Sequence, residues 1–212
     1  MKQEISVVMP CYNEEKSLGF CIDEIREACS NPEIIVVDNN STDRSSEVAK
    51  KKGAKCVFEI KRGYGSAYLT GIKYIIKDFV IMADCDGSYD FNDIPKFLSE
   101  LKNNDLVVGY RTNRNLLPVL NRFGGWIINK LLRLKGLNIK ESCTGFIGMK
   151  RDKLLSLNLK KQGMEFSSEL LVKAKENGLK IKEIDINFRQ RTGKSKLKIF
   201  RDGWRHIKYL IF

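Results

Sequence analysis

The chain has 212 residues, long enough to bury a full core in one domain, and a hydrophobic content of 42% excludes wholesale disorder. Lys and Arg outnumber Asp and Glu by 38 to 26, and the resulting +12 points to an anionic partner: nucleic acid, an acidic membrane surface or a phosphorylated substrate. Six cysteines without a Cys-x-x-Cys pair, and a single histidine, His206, exclude zinc and thioredoxin-like chemistry and read as the reduced thiols of a cytosolic protein.

Residues 5–9 read as a buried first strand closed by Pro10, too short to be the apolar core of a signal peptide. Asn13-Glu14-Glu15 opens a helix whose Leu18, Cys21, Ile22 and Ile25 share one face. A second strand, 34–37, ends at Asp38; Ser41-Thr42-Asp43 caps a helix, and 55–60 is a third strand. A helix over 66–77 leads to a fourth strand, 79–83, then to a helix over 91–103 and a fifth strand, 106–108. Strand and helix alternate, which predicts an α/β fold: a mostly parallel sheet, helices on both faces, functional groups at the strands' carboxyl ends.

Beyond Arg111 the character changes. Residues 116–135 carry Leu120, Phe123, Ile127, Leu131 and Leu134 at helical spacing, interleaved with Arg122, Lys130, Arg133 and Lys135. Residues 143–149 predict a strand, 166–177 a helix and 180–188 a strand. The tail places Leu197, Phe200, Trp204, Ile207 and Ile211 on one stripe, amid much of the net positive charge. Two readings stay open for these basic amphipathic stretches: interfacial helices on an anionic membrane surface, or helices with one face on the core and the other in water. No 18-residue apolar segment spans a bilayer, and no aromatic-basic RNA motif supports nucleic acid as a partner.

The densest chemistry lies in Val80-Ile81-Met82-Ala83-Asp84-Cys85-Asp86-Gly87-Ser88-Tyr89-Asp90. Strand residues i and i+2 share a face, so Asp84 and Asp86 can converge, and two hard oxygen ligands suit Mg²⁺ or Mn²⁺. The stretch also reads as an Asp-rich turn. Pro10-Cys11-Tyr12-Asn13-Glu14 and Asp38-Asn39-Asn40-Ser41-Thr42-Asp43 fall at two further strand ends, on the same rim, although Asn13, Thr42 and Asp43 also have a local use as helix caps. Arg62-Gly63-Tyr64-Gly65-Ser66-Ala67 follows a strand and opens a helix as a dinucleotide fingerprint would, but it lacks the third glycine and the ribose-binding acid. Its glycines are expected to let the backbone pass close to donor or helix.

These three strand-end motifs resemble the signatures of glycosyltransferase family 2, and more narrowly those of the dolichyl- and polyprenyl-phosphate hexose synthases. Gly109-Tyr110-Arg111, Cys143-Thr144-Gly145-Phe146, Glu165-Phe166-Ser167-Ser168-Glu169-Leu170 and Gly193-Lys194-Ser195-Lys196-Leu197 continue the likeness in the family's order. The resemblance implies a GT-A fold in one domain over 1–212, with 1–111 the nucleotide-sugar half and 112–212 the acceptor and membrane-facing half. It implies that Pro10, Tyr12 and Glu14 hold the nucleoside, that Asp38 or Asn39 reads the base and ribose edge, and that Asp84 and Asp86, flanking Cys85, bind metal and diphosphate. Arg111, with Lys196 and either Arg189 or Arg191, would clamp the phosphates. Ser88 stands where mannosyl members often have Gln, which leaves the third metal position open, and Ile147 replaces a frequent Arg. Glu165 and Glu169 stand as bases or acceptor orienters, or as plain carboxylates at a helix start.

The implied activity is inverting, metal-dependent transfer of a hexose from UDP-glucose or GDP-mannose to a polyprenyl or dolichyl phosphate, by a cytoplasmic enzyme peripheral to the cytosolic membrane face. Ser88 tilts the choice slightly toward glucose. A glycan, protein or soluble acceptor is the rival acceptor, and a basic RNA- or membrane-binding protein is the rival without catalysis. An acceptor phosphate monoester has a second pKa of about 6 and is largely ionised at pH 7, so it needs positioning by cations more than a strong base.

Overall fold

The computed structural model describes residues 5–193 and 195–212; Lys194, part of the last motif, lies outside the described residues. Seven strands form one sheet in the order β3-β2-β1-β4-β6-β5-β7. They are β1 (Ile5–Cys11), β2 (Glu33–Asp38), β3 (Lys55–Phe58), β4 (Phe79–Met82), β5 (Leu106–Arg111), β6 (Ile147–Lys150) and β7 (Ile181–Ile186). All neighbours pair parallel except β6, which runs antiparallel to both β4 and β5.

The uninterrupted apolar runs arise because each central strand is covered on both faces. Val7 and Met9 of β1 and Val36 of β2 enter a core shared with α1 (Leu18–Ala28), α2 (Ser45–Lys51) and later α4 (Ile94–Leu101). Val8, Ile35 and Val37 enter the opposite core, with α3 (Tyr64–Ile72), α5 (Val119–Leu134), α6 (Arg151–Ser156), α7 (Phe166–Glu176) and α8 (Ile199–Ile211). Helix α1 buries Leu18, Cys21, Ile22 and Ile25, the face its spacing predicts, although it starts at Leu18 after a turn in which Asn13 has φ 54°. Helix α6 has no counterpart in the periodicity of the sequence.

Three boundaries differ in ways that shape the site. Strand β1 continues through Pro10 to Cys11, so Tyr12 and Glu14 start from the rim. Strand β4 stops at Met82, two residues before Asp84, so strand alternation does not place the two aspartates; a turn does, through Gly87 at φ 79°. Residues 143–146 are irregular and β6 begins only at Ile147.

The two basic helices also depart from expectation. On α5 the buried residues are Gly125, Ile128, Asn129 and Leu132, while Leu120 and Phe123 of the predicted stripe stay exposed. On α8 the buried residues are Asp202, His206 and Leu210, whereas Phe200 is 85% and Trp204 61% exposed. Helix α8 therefore turns an acid and an imidazole inward beside Leu210, and Phe200 and Trp204 outward.

Candidate active site

The carboxyl ends of β1 and β4 open onto a cleft of two chambers. One, of about 440 Å³, is lined by Pro10, Tyr12, Glu14, Asn39, Cys85 and Lys196 among others. The other, of about 400 Å³, lies between α5 and α8 and is lined by Ser88, Arg111, Arg114, Leu120, Glu141 and His206 among others. Asp84, Asp86, Tyr64, Met164, Arg191, Ser195, Leu197 and Asp202 line both. The aspartate pair lies where the two chambers meet.

Asp86 is buried and committed on both oxygens: Oδ1 accepts from the Ser88 N–H (3.0 Å), and Oδ2 pairs with Arg191 Nη1 (3.1 Å). Asp84 is cradled by backbone. A Cβ at Gly145 would lie 2.5 Å from Asp84 Oδ2, so only glycine leaves room for that carboxylate. Tyr89 backs the arrangement, its Oη accepting from the Gly145 N–H (2.7 Å), and packs on Phe146 and Phe188. Burial, then the charge of Asp86, raises the pKa of Asp84 well above the ordinary carboxylate range. A carboxylate forced to ionise beside another is relieved by a cation, and the pair supplies hard oxygen donors of the kind a divalent ion takes. Among the described residues no cluster of three His, Cys, Asp or Glu side chains forms, so further ligands would come from a bound diphosphate. Gly145→Ala is expected to displace Asp84 and cut catalytic turnover by at least about tenfold with little loss of fold; unchanged turnover would contradict the cradle.

Cations approach from the 189–198 segment. Glu14 Oε1 accepts from Arg191 Nη2 (2.9 Å) and Lys196 Nζ (2.5 Å), and Lys196 also donates to the Asn13 carbonyl (2.7 Å). Burial raises the Glu14 pKa against the opposing pull of those two cations. Tyr12 lies under Arg62 (4.4 Å) and near Lys196 (5.8 Å). Arg189 does not join them. Its Nη1 donates to both oxygens of Glu24 and its Nη2 pairs with Asp90 (2.9 Å), outside the chamber linings. Of the two arginines, Arg191 is the one in the cleft.

On the second chamber's wall, Arg111 is buried against Glu141, its Nε donating to Oε1 (2.8 Å) and Nη2 pairing with the same oxygen, while its backbone N–H donates to Oε2 (2.9 Å). Arg114 lies 3.7 Å from the same carboxylate. His206 meets Ser168 Oγ through Nδ1 (2.7 Å), and burial pushes its pKa down to about 4, so it is neutral at pH 7.

Four expected site residues are engaged elsewhere. Asp38 is buried with Oδ1 accepting from the Ser41 N–H (2.9 Å) and Oδ2 from Ser46. Asn39 reaches the lining, but its amide is spent on the carbonyls of Glu59 and Lys61 and the N–H of Gly63. Glu169 is buried, its Oε2 accepting from the N–H groups of Lys160 and Lys161 and its Oε1 pairing with Lys173. Glu165 turns back to the Gly163 N–H (3.3 Å), and neither glutamate lines a chamber. Cys85 also points into the protein side of the loop, donating its thiol to the Pro10 carbonyl (3.3 Å). Conversely Glu141, Asp202 and His206 line the cleft without any motif announcing them, and Tyr64 does so from the glycine motif at 62–67; Glu141 sits in a polar loop with no periodic signal.

Comparison with known proteins identifies the chain's family and fold. The family model described as Glycosyl transferase family 2 covers residues 6–156. The dolichyl-phosphate hexose transferase of Haloferax volcanii is 32% identical over 94% of this chain and 89% of that protein. The low-salt glycan biosynthesis hexosyltransferase Agl6 of the same organism is 33% identical over 98% of this chain, which spans about half (53%) of Agl6. A crystal structure of glucosyl-3-phosphoglycerate synthase from Mycobacterium tuberculosis, in complex with Mn²⁺, UDP and glucosyl-3-phosphoglycerate, superposes with a TM-score of 0.82 at 22% identity, over 99% of this chain and 79% of that one. On the family-model match over residues 6–156 and the relative at 32% identity, with the GT-A fold in agreement, the chain belongs to glycosyltransferase family 2.

Proposed function

We propose that this enzyme transfers a hexose from a UDP- or GDP-sugar to a polyprenyl-type phosphate presented at an anionic membrane surface. The observation that carries the reading is the two-chambered cleft. A polar, cation-rich chamber and one walled by two helices with outward apolar side chains meet at Asp84 and Asp86. The polar chamber suits a nucleoside diphosphate: Tyr12 and Pro10 flank the nucleoside, and Arg191 and Lys196 face the phosphates. Asp84 and Asp86 would hold Mg²⁺ or Mn²⁺, which when bound neutralises charge on the departing diphosphate. Arg111, fixed by Glu141, orients the acceptor phosphate for attack on the anomeric carbon from the opposite face, with inversion. Apart from Asp84 and Asp86, the carboxylates that line the acceptor-side chamber are committed, Glu141 to Arg111 and Asp202 to Arg201 and the Lys198 N–H, and an ionised acceptor phosphate needs no base.

The inverted helix α8 supports the membrane. A helix in water does not bury Asp202 and His206 while exposing Phe200 and Trp204 unless its outer face meets something apolar. Phe123, Trp126 and Leu120 of the adjoining α5 extend that face, and Arg122, Arg201 and Arg205 surround it. No helix among the described residues is long and apolar enough to cross a membrane, and the proposed contact with lipid is through this outer face. The relative named as a dolichyl-phosphate hexose transferase supports the acceptor class.

The test supplies labelled UDP- and GDP-hexoses with Mn²⁺ and liposomes containing polyprenyl phosphate. Label should enter the organic phase with one donor; label only in a water-soluble product overturns the acceptor. The double variant Phe200→Ser/Trp204→Ser should weaken liposome binding by at least about tenfold, from the apolar area lost. Undiminished binding overturns the membrane face.

A further inference from the structure

We propose that Tyr64 is the platform on which the transferred hexose sits, an inference that rests on the glycosyltransfer reading above. A group passing from donor to acceptor must occupy space common to both chambers. Of the residues lining both, Asp84, Asp86, Arg191 and Asp202 bring charge, and Tyr64 alone is aromatic. A pyranose presents a face of polarised C–H groups, and an aromatic ring offers an electron-rich face and a polar rim against which such a face packs.

The fold places this ring with unusual care. A Cβ at Gly65 would lie 2.1 Å from the Lys161 carbonyl oxygen, and one at Gly63 would lie 2.2 Å from that of Gln162. The two glycines let the loop dock directly on the 161–163 backbone, where the N–H groups of Gly65 and Ser66 donate to the carbonyls of Gly163 (3.2 Å) and Gln162 (3.0 Å). The Tyr64 ring stands nearly perpendicular to Tyr68 (4.9 Å, 79°) and to Phe166 (6.4 Å, 74°), and those two rings stack on each other (5.3 Å, 10°). Burial, and then the neighbouring Asp84 charge, keep its phenol protonated. The glycine pattern that mimics a dinucleotide fingerprint is thus a docking device that delivers Tyr64 to the junction beside Asp84.

The experiment compares intact donor with its nucleoside diphosphate. With Mn²⁺ present, the full chain is titrated calorimetrically with UDP-glucose and UDP, and with GDP-mannose and GDP, for wild type, Tyr64→Phe, Tyr64→Ala and Tyr64→Leu. Tyr64→Leu keeps most of the packing volume against Tyr68 and Phe166 without a π face, so it tests the ring where the alanine variant fails to fold. Tyr64→Ala and Tyr64→Leu should weaken the intact sugar nucleotide roughly tenfold, while nucleoside diphosphate binding stays within about twofold; Tyr64→Phe should keep both. Equal weakening of both ligands, or no weakening by Tyr64→Leu, overturns the platform. If wild type transfers sugar and Tyr64→Leu matches it, this inference falls alone; if wild type binds no nucleoside diphosphate, the glycosyltransfer reading falls with it.

Discussion

Asp84→Asn is expected to reduce sugar transfer at least about 100-fold while raising the thermal stability of the metal-free protein at pH 8. The two effects share one cause. Asp84 is enclosed by the Gly145 backbone and faces a second carboxylate, so ionisation costs free energy in the folded state. Its folded pKa lies above the ordinary value of 3.8; the carboxyl therefore favours folding most at low pH, and that contribution is lost as pH rises through the folded pKa. Asparagine, the same size and never charged, escapes the loss. The stability gap between variant and wild type should be absent near pH 4, open as pH rises and stay constant once wild type is ionised. Mn²⁺ with UDP should reverse its sign, because only the charged pair gains from the cation. Melting curves with EDTA and with Mn²⁺ plus UDP at several pH values check this. Transfer above a tenth of wild type, or a stability gap independent of pH, would contradict it.

Glu141→Ala should be the most destabilising single change in the cleft. The side chains of Arg111 and Glu141 are 9% and 2% exposed, and Glu141 also accepts the Arg111 backbone N–H. Removing the acid strands a buried guanidinium and an N–H, a loss of about 3–5 kcal/mol that lowers the melting temperature by roughly 10 °C in a chain of this length. The double variant Arg111→Met/Glu141→Leu removes both charges and should recover most of the stability, because the pair's desolvation cost vanishes with it. It should remain inactive, since the proposed acceptor cation is gone. Urea denaturation of the two variants separates these contributions; a loss below about 1 kcal/mol for Glu141→Ala would mean that solvent reaches Arg111 in solution.

The sequence alone determined the sheet and the rim. Strands covered on both faces must be apolar throughout, so residues 34–37 and 80–82 announce themselves without any partner being known. Polar clusters that end such runs fall at one edge of a parallel sheet, which is how Pro10–Glu14 and Asp84–Asp86 were legible as one cleft. What lay beyond reach was the choice among equivalent neighbours. Arg189 and Arg191 are two residues apart and chemically identical; Glu24 and Asp90 claim the first, and Glu14 and Asp86 the second, from distant points of the chain. Glu141 carries no local pattern because its partner, Arg111, is 30 residues away at the end of β5. Periodicity showed that α5 and α8 each carry an apolar stripe but not which way it faces. Tertiary packing decided that, seating Asp202 and His206 inward and leaving Phe200 and Trp204 outside. A stripe records only that some surface is apolar; whether protein or lipid covers it depends on what the rest of the chain has already buried.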